Sequence, residues 1–236
     1  MEKIFLKRKD LDFRANEAYK TLRTNLQFCG DDIKVITFTS CTPNEGKTSI
    51  SLNLSISFAE TGKKIILIDA DLRKSVIAGR YKIGRVDKGL SHYLSGQANM
   101  DEVVCNTDID NMDIILSGSN CPNPAELLEH MRFGELISKL RNEYDYVIID
   151  TPPLGSVIDS AIVAKVSDGV VLVVEANAIS HRFAGKVKEQ LERTGCRILG
   201  AVINKVPFDD KNGYYGKYYG RYYGKYYGKY YGLYGN

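Results

Sequence analysis

The stretch SCTPNEGKTS (residues 40–49) closes the apolar run KVITFTS (34–40) and leads into KTSISLNLSISFAETG (47–62), which reads as a helix stopped by Gly62. Strand, tight loop, Gly-Lys-Thr, helix is the context that a phosphate-binding loop requires. Backbone N–H groups of the loop and of the helix start point at phosphate oxygens, and the helix dipole adds partial positive charge there. The expected nucleotide-binding residues are therefore Pro43, Asn44, Glu45, Gly46, Lys47, Thr48 and Ser49. Lys47 is expected at the β- and γ-phosphates, and the Thr48 hydroxyl on magnesium. Cys41 stands where the usual first glycine of this loop would be.

Outward from the loop, apolar strands alternate with helical patterns. Strands are expected at 34–40, 64–70, 112–118, 146–151, 169–176 and 197–206. Helices are expected at 12–28, 47–62, near 89–95, at 124–142 entered through Pro124, and at 159–167 and 181–194. Strands that are apolar along their whole length need both faces covered, which points to a mostly parallel sheet flanked by helices. The fold class is α/β. The segment EKIFLKRKD (2–10) reads as a solvated basic arm. Periodicity stops beyond Pro207, so residues 208–236 read as a flexible tail.

Two further strand ends carry carboxylates. IILIDADLR places Asp69 and Asp71 at the carboxyl end of one strand, and YVIIDTPP places Asp150 at the end of another. Ligands of open parallel sheets sit off those ends. Magnesium takes one or two carboxylates plus phosphate oxygens, so Asp71 and Asp150 suit it with Thr48. Asp69 is then left over, in the position of a general base.

Composition narrows the classes. The net charge of +3 names no partner, and no apolar run is long enough to span a bilayer. No signal peptide opens the chain, and the five scattered cysteines read as reduced thiols, so the expected compartment is the cytoplasm. His92, His130 and His181 show no ligand spacing.

Together, SCTPNEGKTS, LIDADLRKS and YVIIDTPP resemble the Walker A, A′ and B motifs of bacterial tyrosine kinases, a P-loop NTPase family. EAYKTLRTNL (17–26), GLSHYLSG (89–96) and SGSNCPNPAELL (117–128) extend the resemblance over nearly the whole chain. It implies residues 1–30 as arm and oligomerisation helix, 31–207 as kinase core and 208–236 as autophosphorylation cluster. ATP and Mg²⁺ are the implied cofactors. Asp69 takes the proton of the attacking tyrosine, Arg73 completes the A′ motif, and Asn204 is the candidate adenine contact. Glu17, Lys20 and Arg23 stand where the family has an ExxRxxR motif that builds a ring of subunits. Lysine at the middle position keeps the charge but loses the planar bidentate fork. The implied partners are further copies of the chain, a transmembrane activator of a polysaccharide export system and a phosphotyrosine phosphatase. The implied role is regulation of capsular or extracellular polysaccharide synthesis at the inner membrane face.

The tail fits the part of substrate. Tyr214, Tyr215, Tyr218, Tyr219, Tyr222, Tyr223, Tyr226, Tyr227, Tyr230, Tyr231 and Tyr234 account for most of the protein's 16 tyrosines. Lys217, Arg221, Lys225 and Lys229 make the segment basic, and it holds no acid. Two other classes share some of these features. One is a MinD- or ParA-like ATPase, which shares the fold. The other is a module that binds single-stranded nucleic acid through its aromatic, basic tail, although no specific nucleic acid is expected.

Overall fold

The computed structural model describes residues 3–7, 10–84 and 87–207, and the fold is that of one unit ending at Asn204. The tail, with its eleven tyrosines, lies outside the described residues. In chain order the elements are β1 (Lys3–Ile4), α1 (Phe13–Gln27), β2 (Val35–Ser40), α2 (Lys47–Ala59), β3 (Ile65–Asp69), α3 (Ile77–Arg80), α4 (Leu90–Leu94) and α5 (Met100–Val103). They continue with β4 (Val104–Thr107), β5 (Met112–Ile115), α6 (Pro124–Glu129), α7 (Met131–Glu143), β6 (Tyr146–Asp150), α8 (Asp159–Ala164), β7 (Gly169–Glu175), α9 (His181–Glu192) and β8 (Ile198–Asn204). The strands form one sheet in the order β1-β4-β5-β3-β6-β2-β7-β8. Among the described residues only the β4–β5 pair is antiparallel.

Alternation within the strands divides the core between two faces. Ile36, Phe38, Ile65, Leu67 and Ile148 point to the side covered by α2, where Leu54 and Phe58 meet them. Val35, Ile66, Ile68, Val147 and Ile149 point to the side covered by Phe133, Leu136, Ile137 and Leu140 of α7. Phe58 stacks on Tyr146 with ring centroids 4.2 Å apart. Helix α2 is buried around most of its girth because α1 packs on its outer side. The Asp12 side chain caps α1 by accepting the Ala15 N–H at 2.7 Å.

Two departures from the sequence reading have clear causes. The expected 124–142 helix is broken at His130, whose backbone is extended and whose Nδ1 accepts the Arg132 N–H at 3.3 Å. An unbroken helix would set Leu128 and Phe133 about 140° apart; the break lets both enter the same core.

The amino-terminal segment is also no solvated arm. Its residues 3–4 pair with Asn106 and Thr107, the Leu6 N–H donates to Asp108 at 2.9 Å, and Ile4 and Leu6 are buried. An arm merely solvated would tolerate truncation of Leu6. Leu6→Ala is instead expected to lower the unfolding free energy by about 2–3 kcal/mol, read from urea denaturation midpoints.

Candidate nucleotide and phosphoryl-transfer site

Gly46 caps α2 with φ 97°, a left-handed conformation that side chains disfavour. A Cβ there would lie 2.0 Å from Nδ2 of Asn204. That Nδ2 donates to the Glu45 carbonyl at 2.8 Å, so the end of β8 is fastened to the loop. Asn44 is also left-handed, at φ 68°. The Glu45 side chain is buried and braces the loop: its carboxylate accepts the N–H of Thr42 at 2.7 Å and of Glu175 at 3.3 Å. The Ser49 hydroxyl is engaged by Arg80 of α3 at 2.8 Å. What Glu45 and Ser49 offer a phosphate is therefore their backbone.

Cys41, at the usual first glycine, has an ordinary backbone and needs no glycine. The residue that must be glycine lies opposite, at Gly155, where a Cβ would sit 2.1 Å from the Cys41 carbonyl. Burial, and secondarily the Glu45 charge, pushes the Cys41 thiol up to about 12, which keeps it protonated.

The three expected carboxylates converge. Parallel register sets Asp69 abreast of Asp150 at the ends of β3 and β6. Lys47 Nζ lies 3.7 Å from Asp71 Oδ2, and both side chains are largely buried. Asp71 Oδ1 accepts the N–H groups of Lys74 at 2.9 Å and Arg73 at 3.3 Å, which holds the turn after β3 in shape. Burial first, and then the Asp150 charge, raises the Asp69 carboxyl to about 7, while its bond from the Ser75 hydroxyl pulls the other way. Asp150 is raised as well, by burial, against the lowering effects of Lys47 and Thr48. Its Oδ1 is buried with no hydrogen-bond partner among the described residues. A buried, unpartnered carboxylate oxygen beside the Thr48 hydroxyl is a suitable ligand for a hard cation.

Two residues of this site were missed in the sequence. Asp159, fully buried at the start of α8, grips Arg73 through two bonds, Nε–Oδ2 at 2.8 Å and Nη2–Oδ1 at 2.9 Å. Ser75 holds Asp69. Both belong to runs (DLRKS and SVIDS) whose loop-like composition gives no sign of the contact. Of the expected oligomerisation residues, Lys20 pairs with Glu17 at 2.7 Å on the same helix. Arg23 donates to the Ser57 hydroxyl at 3.0 Å, within its own chain.

Such a loop, beside buried acidic strand ends on this sheet, defines a P-loop nucleotide-binding protein, and a family model for the AAA domain matches residues 33–194. Tyrosine-protein kinase CpsD of Streptococcus pneumoniae is 43% identical over 219 residues, which cover 92% of this chain and 96% of that one. Tyrosine-protein kinase YwqD of Bacillus subtilis (strain 168) is 38% identical over 205 residues, covering 85% and 86%. The kinase domain of Escherichia coli tyrosine kinase ETK superposes with a TM-score of 0.80 at 31% identity, covering 88% and 85%. The chain belongs to the bacterial tyrosine kinases, enzymes that phosphorylate protein tyrosine with ATP. A MinD from Pyrococcus horikoshii, solved with Mg-ADP, matches with a TM-score of 0.63 at 24% identity over 72% of this chain and 70% of that one, a likeness of fold alone. Among the described residues no helix is long and apolar enough to cross a membrane.

The Arg73–Asp159 pair joins the turn after β3 to the start of α8, and its acid is fully buried. Arg73→Met, which leaves the buried Asp159 carboxylate unpaired, is expected to cost about 3 kcal/mol, read from thermal or urea unfolding.

Proposed function

We propose that this chain transfers the γ-phosphoryl group of ATP to the tyrosines of its own C-terminal repeats, presented by other copies of the chain. The observation that carries this reading is the convergence of Lys47, Thr48, Asp71 and Asp150 around the phosphate loop, with Asp69 left over beside them. Thr48, Asp71 and Asp150 would hold magnesium, which would neutralise charge on the phosphates. Lys47 binds the β- and γ-phosphates, and the backbone of residues 43–49 orients them. Asn204, fastened to the loop, stands as the adenine contact. The tyrosine oxygen bonds to the γ-phosphorus, the bond from that phosphorus to the β–γ bridging oxygen breaks, ADP leaves, and Asp69 accepts the phenol proton. Positioning and electrostatics do most of this work, since phosphoryl transfer needs little covalent help. Arg73 acts at a distance, by holding the turn that carries Asp71.

In the cell we assign the protein to the control of capsular or extracellular polysaccharide synthesis and export. The support is that a Klebsiella pneumoniae relative, 37% identical over 202 residues, is described as a putative tyrosine-protein kinase in the cps region. The match covers 28% of that longer protein. Recruitment to the inner membrane face by a transmembrane activator, reversal by a phosphotyrosine phosphatase, and assembly through Glu17, Lys20 and Arg23 complete the proposal. Each phosphate adds about −1.5 to −2 of charge, so the basic tail becomes acidic as it is modified and the assembly loosens.

The full-length protein incubated with ATP and Mg²⁺ is expected to gain phosphotyrosine at several positions between Tyr214 and Tyr234, mapped by mass spectrometry. Lys47→Met and chelation of the metal should abolish the signal, and Asp69→Asn should slow it about 10²–10⁴-fold. ATP hydrolysis without phosphotyrosine would favour a MinD- or ParA-like ATPase. Salt-sensitive RNA binding that survives Lys47→Met would favour the nucleic-acid module. Replacing the tail tyrosines by glutamate is expected to shift the protein to smaller assemblies in light scattering; unchanged assembly sinks the charge switch.

A further inference from the structure

A cleft of about 380 Å³ opens between α4, the loop 117–123 and α6, apart from the phosphate loop. Its lining mixes apolar surface with polar side chains, Ser91, His92, Ser119, Asn123 and Glu126 among them. Ser91 is 4% exposed, and its hydroxyl is buried with no hydrogen-bond partner among the described residues. Leaving such a group unpaired costs about 1–3 kcal/mol, a cost that an incoming donor or acceptor removes. His92 Nδ1 accepts the Gly89 N–H at 3.1 Å, which places the ring proton on Nε2, 3.4 Å from Ser119 Oγ. Asn123 donates to the Glu126 carboxylate at 3.1 Å. Pro122 and Leu127 add apolar surface. No lysine or arginine contributes to the described lining, and Glu126 is the acid in it, so the cleft favours a cationic, hydroxyl-bearing ligand over an anionic one.

Its position narrows the ligand further. Cys121, which contributes to the cleft lining, sits close enough to Arg73 and Asp159 to feel both charges. Helix α6, which forms one wall, packs on α8, whose first residue is Asp159. The cleft is thus reached from the acidic site by way of the Arg73 clamp.

We propose that this cleft is a docking subsite for the Tyr-Tyr-Gly-Lys repeat that flanks the reacting tyrosine, presented by a second copy of the chain; this rests on the kinase reading above. Charge complementarity carries the choice. Residues 212–236 hold no acid and carry Lys217, Arg221, Lys225 and Lys229 at four-residue intervals. One repeat, ~13 Å when extended, brings two phenols for the serine, imidazole and amide groups and one cation for Glu126. The same lining disfavours a repeat that already bears phosphate, because that repeat would bring about −1.5 to −2 of charge against the Glu126 carboxylate. The subsite therefore holds unmodified repeats and releases modified ones.

The test uses the full-length protein with two synthetic peptides, YYG and YYGKYYGK, read both by fluorescence anisotropy and as phosphorylation KM and kcat. Glu126→Lys, an exposed substitution, is expected to weaken binding of the longer peptide about tenfold and to raise its KM similarly, with kcat and the shorter peptide unaffected. Ser91→Ala removes a hydroxyl without a partner, so it should leave the melting temperature unlowered yet weaken the longer peptide about threefold. A phosphotyrosine in the flanking repeat should weaken binding to the parent and less so to Glu126→Lys. Equal affinity of parent and Glu126→Lys for YYGKYYGK overturns the subsite. Loss of binding in Glu126→Lys without phosphorylation by any form upholds the subsite and overturns the kinase reading instead.

Discussion

The site depends on a crowding of like charge. Parallel register between β3 and β6 sets Asp69 and Asp150 side by side at the carboxyl ends of two buried central strands, and the turn after β3 adds Asp71. Three carboxylates crowded at one site are an electrostatic burden that a purely structural site would avoid. The surroundings are arranged to hold it: Ser75 bonds Asp69, two backbone N–H groups bond Asp71, and Lys47 lies beside Asp71. One oxygen of Asp150 is left with no such support. A region that retains this much unbalanced negative charge is prepared for cations, whether a metal ion or a basic polypeptide.

The same economy governs the scaffold. A sheet apolar on both faces has to be covered twice, and α2 can cover one face only if its own outer side is hidden in turn. That is why α1 lies on α2, and why Arg23 spends its guanidinium on the end of that helix. Seating α2 also fixes Lys47 and Thr48, since both stand in its first turn.

Much of this was legible in the sequence where local chemistry leaves few options. Gly46 has to be glycine at its backbone angle and in the space left by Asn204, and the aspartates stand where buried apolar strands end. What escaped were contacts made by distant segments. Arg73 and Asp159 are 86 positions apart, and neither run suggests the other. Strand β1 is two residues long and β4 four, too short for any period to register, so a basic opening segment read as solvated although Ile4 and Leu6 are core residues. The break at His130 was hidden because helical spacing continues on both sides of it; the deciding fact is the angle between Leu128 and Phe133, which depends on the core they share.

The docking of β1 has a consequence for how the chain assembles. Its partners, Asn106 and Thr107, lie about a hundred residues downstream, and Leu6 is held by Asp108. During synthesis this segment emerges well before its partners and has nowhere to pair until they follow. Closing so long a loop for a two-residue strand is entropically expensive until the rest of the sheet already holds the ends together. The amino-terminal strand is therefore among the last parts to settle and the first to open, and its backbone amides should exchange with solvent ahead of the central strands β2, β3 and β6.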